Sequence, residues 1–216
     1  MVKLTVWVYR AIAMPDLWQF IVATVGGYFL GSIPFGLVIT RAAGLGDIRE
    51  IGSKSIGATN VLRTGRKDLA LATLLGDSLK AGLAVFIFTS LFSRNVGLIA
   101  GASAFLGHCY PIWLRFKGGK GIATYAGLLG FASWPSLLVG APVWLGLFAI
   151  TRISSLSALT AAVCVPVGAL LLGETKFAVG VLAVLSCLVF WTHRANISRL
   201  IKGVEPRFGA PKEAKD

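Results

Sequence analysis

The stretch "FKGGKGIAT", residues 116–124, sets Lys117 and Lys120 among Gly118, Gly119 and Gly121 and then runs straight into an apolar segment. A glycine-rich turn at a helix start presents backbone N–H groups and the positive end of the helix dipole, and a lysine adds a full charge. Such a turn can grip an anion, above all a phosphate. The G-x-x-x-x-G-K-[ST] spacing of a nucleotide loop is absent. A tight basic turn with no ligand is the plainer alternative.

Two further polar stretches carry groups of the same kind. In "DIREIGSKSIGATNVLRTGRK", residues 47–67, Gly52, Gly57 and Gly65 allow backbone conformations closed to other residues, and successive N–H groups in such turns form anion-binding nests. Ser53, Thr59 and Asn60 add neutral donors, and Arg63 adds a planar fork suited to phosphate. A basic loop resting on anionic headgroups is the alternative here. In "THRANISRLIKGVEPRFG", residues 192–209, His193, Asn196 and Arg199 or Leu200 recur at helical spacing and can share one face. An interfacial histidine serves structure as readily as chemistry. Glu205 is an acid that could pair with a loop arginine.

What must position these groups is a set of helices in a membrane. The chain has 216 residues, 56% hydrophobic and only 14% charged, with a net charge of +12. Soluble domains carry about 25% charged residues. Apolar segments near the ~20 residues that cross a bilayer run over 17–40, 69–92, 96–114, 122–150, 155–172 and 177–193. The fourth contains "SWPS" (133–136) and is read as two crossings, because charge then falls on one side. The loop 41–68, the loop 115–121, Arg152 and the tail 194–216 hold most of the Lys and Arg, as cytoplasmic segments do. The expectation is an all-α, polytopic integral membrane protein of seven transmembrane helices, N-terminus out and C-terminus cytoplasmic. It forms a single domain over 1–216, with an interfacial or poorly ordered lead-in at 1–16 and a frayed tail at 209–216.

Several patterns exclude other classes. The basic residues sit in short loops between apolar runs, which speaks against nucleic acid. Cys109, Cys164 and Cys187 are widely spaced and form neither a disulfide framework nor a zinc site. No His, Asp or Glu cluster has metal-ligand spacing. Asp77 and Lys80, three apart, can pair within a helix or mark a functional site. His108 either caps a polar pocket or hydrogen-bonds across helices. The "GSIPFG" of 31–36 fits close helix packing or a kink.

On four blocks in order the chain resembles the acyl-phosphate-dependent glycerol-3-phosphate acyltransferases of bacterial membranes. The blocks are "GSIPFG" (31–36), "DIREIGSKSIGATNVLR" (47–63), "LGHCYPIWLRFKGGKGIAT" (106–124) and "HRANISRLIKGVE" (193–205). The resemblance implies a seven-helix enzyme of the cytoplasmic membrane with its active site facing the cytoplasm. Such an enzyme moves an acyl group from acyl phosphate to the 1-hydroxyl of glycerol 3-phosphate, giving lysophosphatidate and phosphate, the first acylation of phospholipid biosynthesis. It implies no cofactor and no metal, membrane lipid around the site, and a soluble enzyme that makes acyl phosphate as a partner. Ser53, Arg63, Lys120, His193 and Asn196 match the family's substrate-site positions, and Glu205 matches its structural tail glutamate. Gly52, Asn60, Gly118, Gly119 and Gly121 complete the expected phosphate-binding set. The family commonly has Gly-Ser-Gly-Asn where this chain reads Gly52-Ser53-Lys54-Ser55.

Acyl phosphate is already an activated anhydride, so no covalent acyl-enzyme is needed, and no nucleophile–base–orienter set stands out. Neither histidine is followed by the acid of an H-x-x-x-x-D motif: Trp113 stands five residues after His108, and Ser198 five after His193. Direct transfer from acyl phosphate is therefore expected. The rival is a transporter of a small organic phosphate, which predicts broken or polar helices at the midplane; here most polarity gathers at one membrane face.

Overall fold

A computed structural model describes residues 15–209, and every described element is helical. The expected lead-in and the end of the expected frayed tail fall largely on 1–14 and 210–216, outside the described residues. Helix α1, Leu17–Gly31, and helix α2, Phe35–Ala42, form one apolar run broken at Ser32-Ile33-Pro34. Pro34 lacks an N–H and disfavours helical geometry at Ile33, so the helix is interrupted there within one 26-residue span. Gly31 and Gly36 pack closely on the Ala104 and Ile56 backbones, so both readings of "GSIPFG" are met. The loop that follows holds a 3-10 turn at Ile48–Glu50 and a short helix α3, Ala58–Leu62. Helix α4 runs Lys67–Leu91 and helix α5 Arg94–Cys109, the latter capped by the Ser93 side chain, which accepts from Val96 N–H. After a 3-10 turn at Ile112–Leu114 come α6, Ile122–Ala132, and α7, Trp134–Thr151. Helices α8, Ser154–Leu171, α9, Lys176–Thr192, and α10, Arg194–Ile201, complete the described chain.

Five of these runs are long and apolar enough to cross a membrane, and a sixth results if α9 and α10, bent by 62° at His193, count as one. The segment 122–150 does divide, at Ser133, as the "SWPS" sequence implied. Its first half, α6, has 11 residues, or about 16 Å of helix, against a ~30 Å hydrocarbon core.

The described residues fall into two compact units, divided in sequence between Trp134 and Pro135. In the first, α5 packs against α1, α4 and α6. Small residues let the backbones approach: a Cβ at Gly27 or Gly31 would stand 2.2 or 2.0 Å from the carbonyl oxygen of Ala100 or Ala104. The matched four-residue spacing is the small-xxx-small contact of membrane helices. Leu71, Leu75, Leu79 and Phe86 of α4 stay exposed, as lipid-facing side chains do. In the second unit α8 packs against α9, Val139 of α7 fits against Gly168 of α8, and α10 folds back onto α8.

Candidate active site

The loop between α2 and α4 is organised by one buried amide. The two protons of Asn60 Nδ2 are shared among the carbonyls of Ile48, Ile51 and Ser55 at 2.9, 3.0 and 2.8 Å. Its Oδ1 accepts from the N–H and the hydroxyl of Ser53 at 2.9 and 3.2 Å. Asn60 is 1% exposed and its hydrogen-bonding capacity is filled by the loop. It was expected to donate to phosphate; instead it shapes the loop and presents Ser53. Gly52 has φ +56°, and a Cβ there would come within 2.5 Å of Asn60 Oδ1 and 3.0 Å of Arg63 Cδ. The glycine thus lets the Arg63 stem lie against the turn. Lys54 adopts φ +57°, the left-handed region, at the position where the family commonly has glycine.

The cations of this loop differ in their partners. Arg49 and Arg41 reach Asp47 Oδ2 at 2.6 and 2.9 Å, and Arg66 reaches Asp68 at 2.6 Å. The side-chain hydrogen bond from Arg49, joined by Arg41 and working against burial, holds the Asp47 carboxyl below the usual carboxylate range. Arg63 is exposed and forms no ion pair among the described residues, as is also true of Lys54 and Lys67.

The glycine turn sits on the end of α5. Gly118 N–H donates to Cys109 O and Gly119 N–H to His108 O, each at 3.0 Å. The N–H groups expected to be open at these two residues are therefore engaged with the end of α5. Their glycines are needed for close approach. A Cβ at Gly118 would lie 2.1 Å from His108 O, and one at Gly119 would lie 2.0 Å from His108 Nε2. Gly121, at φ +85°, caps α6 against the Phe105 ring. Lys120, half-buried, stands between these anchors.

Beneath the turn lies a cluster that sequence reading left undecided. Lys80 Nζ is 2.8 Å from Asp77 Oδ1, 2.8 Å from Ile33 O in the α1–α2 break, and 2.9 Å from His108 Nδ1. Asp77, Lys80 and His108 are all at least 97% buried. His108 thus hydrogen-bonds across helices, and the Asp77–Lys80 pair is joined to it. The Asp77–Lys80 spacing and the two alternatives for His108 were visible in advance; that His108, 28 residues after Lys80, is the partner of that pair was not.

In the second unit His193 ends α9 and opens α10, 3% exposed, with Nδ1 2.8 Å from Val189 O. Only a protonated Nδ1 can donate to a carbonyl, so a neutral ring bears its acceptor lone pair on Nε2. Asn196, one turn on and 5% exposed, donates through Nδ2 to Glu205 Oε1. Ser155 Oγ donates to the same oxygen at 2.7 Å, and Arg199 Nε to Glu205 Oε2 at 2.7 Å. Burial alone would raise the Glu205 carboxyl, but these three hydrogen bonds outweigh it and hold it below its ordinary value. Glu205 therefore pairs with Arg199 of α10, not with an arginine of a loop between helices, and ties α10 to the start of α8.

A sequence profile described as glycerol-3-phosphate acyltransferase matches residues 21–203. The chain belongs to the glycerol-3-phosphate acyltransferase family. The enzyme of that name from Hyphomonas neptunium is 70% identical over 202 residues, covering 93% of this chain and 98% of its own. The one from Maricaulis maris is 55% identical over 199 residues, covering 92% of each chain. Among solved structures, PlsY, an integral membrane glycerol 3-phosphate acyltransferase in its glycerol 3-phosphate form, superposes with a TM-score of 0.83 at 35% identity. That match covers 88% of this chain and 96% of the other. Its lysophosphatidic acid form matches with a TM-score of 0.82 at 34% identity, over 88% and 95% of the two chains. The chain is thus an integral membrane acyltransferase of the glycerol-3-phosphate family, and the transporter alternative falls away.

Proposed function

We propose that this enzyme transfers the acyl group of acyl phosphate to the 1-hydroxyl of glycerol 3-phosphate without an acyl-enzyme. The hydroxyl oxygen attacks the acyl carbonyl carbon, an ester C–O bond forms, and the bond to the phosphate oxygen breaks. Inorganic phosphate leaves, and the hydroxyl proton goes to a substrate phosphate oxygen. Two anions near −2 each repel by on the order of 10 kcal/mol at ~5 Å and an effective dielectric of ~20. Lys120 and Arg63 offset that repulsion by holding the phosphates; Ser53, His193 and Asn196 orient the substrates or stabilise charge developing on the carbonyl oxygen.

The observation that carries this reading is the partnering of the loop cations. Arg41 and Arg49 share Asp47 and Arg66 pairs with Asp68, while Arg63, its stem against Gly52, has no carboxylate of its own among the described residues. A loop built only to rest on anionic lipid has no need of that distinction. We further propose seven crossings in one acyltransferase domain, with the N-terminus outside. The polar loops and the C-terminus then face the cytoplasm, where a soluble enzyme supplies acyl phosphate. The purified protein, given glycerol 3-phosphate and either acyl phosphate or an acyl thioester, is expected to form lysophosphatidate and phosphate one to one from acyl phosphate only. Product from the thioester alone would overturn the choice of donor.

A further inference from the structure

The buried cluster of Asp77, Lys80 and His108 has no part in the steps above, yet it lies directly under the turn that carries Lys120. An ammonium has three protons and no lone pair. Lys80 has three acceptors within 2.9 Å: Asp77 Oδ1, Ile33 O and His108 Nδ1. His108 Nδ1 must then accept from Lys80, which outcompetes Asp77 Oδ1 at 3.4 Å from the same nitrogen. This fixes the ring's tautomer and its rotation, and directs the Nε2 edge at Gly119, where an added Cβ would meet Nε2 at 2.0 Å and Cε1 at 2.7 Å. The N–H groups of Gly118 and Gly119 pin the turn to the His108–Cys109 carbonyls on the same end of α5. The ring and the two backbone bonds together leave the turn one seat. Because Lys80 also binds the Ile33 carbonyl, the same ammonium joins the α1–α2 break, α4 and α5 beneath it.

Stability alone does not call for a buried ion pair, since a well-packed apolar set of similar volume serves as well or better. Asp77 Oδ2 is buried without a hydrogen-bond partner among the described residues, a group that in native structures calls for an explanation.

We propose that Asp77, Lys80 and His108 are positioning residues for the acyl transfer. Their locked imidazole forms the floor of the glycine turn and so sets where Lys120 meets the phosphate of glycerol 3-phosphate. The inference rests on Lys120 holding that phosphate.

The test is steady-state kinetics on the full-length protein purified in detergent, varying glycerol 3-phosphate and an acyl phosphate separately. His108→Asn keeps an acceptor for Lys80 but deletes the Nε2 edge; Gly119→Ala adds a methyl that collides with that edge. Each is expected to raise KM for glycerol 3-phosphate about tenfold with kcat within about threefold, a split that general destabilisation does not produce. In the double variant the methyl fills the space the ring has left. Its KM is expected to stay near about tenfold, not the ~100-fold of independent effects. Multiplicative effects, or a normal KM in His108→Asn, would overturn the inference. Gly119→Ala touches no charged group and remains decisive if His108→Asn does not fold: a normal KM in it also overturns the inference. Lys120→Ala separates the two claims. If its KM rises while those of the His108 and Gly119 variants do not, only the positioning role fails. If its KM is normal, the phosphate-holding role fails first.

Discussion

Two carboxylates organise the two units, and they do it under opposite conditions. Asp77 is 1% exposed, faces Lys80 at 2%, and uses one oxygen while the other has no partner among the described residues. Glu205 is 7% exposed, faces an Arg199 that is 38% exposed, and uses both oxygens, with Ser155 and Asn196 on one and Arg199 on the other. The tail network is a saturated clasp between α10 and α8, and water can replace part of it. The inner one holds two charges where nothing can replace a lost partner, so its members stand or fall together.

The contrast is broken most severely at Lys80. Lys80→Met leaves the Asp77 carboxylate buried and uncompensated, at a cost of about 3–5 kcal/mol. Thermal unfolding in detergent should show it, with much of the loss recovered in Asp77→Asn/Lys80→Met. At the clasp, Glu205→Ala strands two neutral donors and one arginine that water can reach. A smaller loss of about 1–3 kcal/mol is expected, measured in the same way. If Glu205→Ala proved the more damaging change, the ranking of the two networks would be reversed.

A pH titration sharpens the comparison. The folded-state pKa of Glu205 lies below its ordinary value, so its stabilisation is present above the unfolded value, about 4.3, and is lost as pH falls through the folded one. Melting temperature should drop on acidification below about pH 5, and Glu205→Gln should flatten that part of the profile. Asp47, shifted in the same direction, leaves a residual slope. The smallest effect is expected at Lys54, whose φ of +57° is strained for a residue with a Cβ. Lys54→Gly should gain up to about 1 kcal/mol in thermal stability.

Local chemistry made much of this protein legible before its structure. Pro34 announced the α1–α2 break, Gly121 the start of α6 at Ile122, and Trp134-Pro135 the division of a segment too long for one helix. These are properties of a residue and its immediate neighbours. The local partners of Asn60, Gly118 and Gly119 were hidden for the converse reason. Each has the composition of a phosphate contact, and only the carbonyls brought against it by the fold reveal that its hydrogen bonds are already made. The partner of Glu205 was open because several arginines stood within reach of it in sequence. The Asp77–Lys80–His108 cluster was hidden most completely, because its members come from two helices and its third acceptor is a backbone carbonyl near residue 33. In a membrane the helix pairing that creates such a cluster is set by small residues such as Gly27 and Gly31, which name a contact face without naming the partner.

The most direct test is the glycerol 3-phosphate KM of Lys120→Ala, measured in folded, purified protein with saturating acyl phosphate. A phosphate held by the glycine turn predicts a KM raised tenfold or more, on the order of 1.4 kcal/mol or above in binding. A variant with both KM and kcat unchanged would contradict it and remove Lys120 from the site.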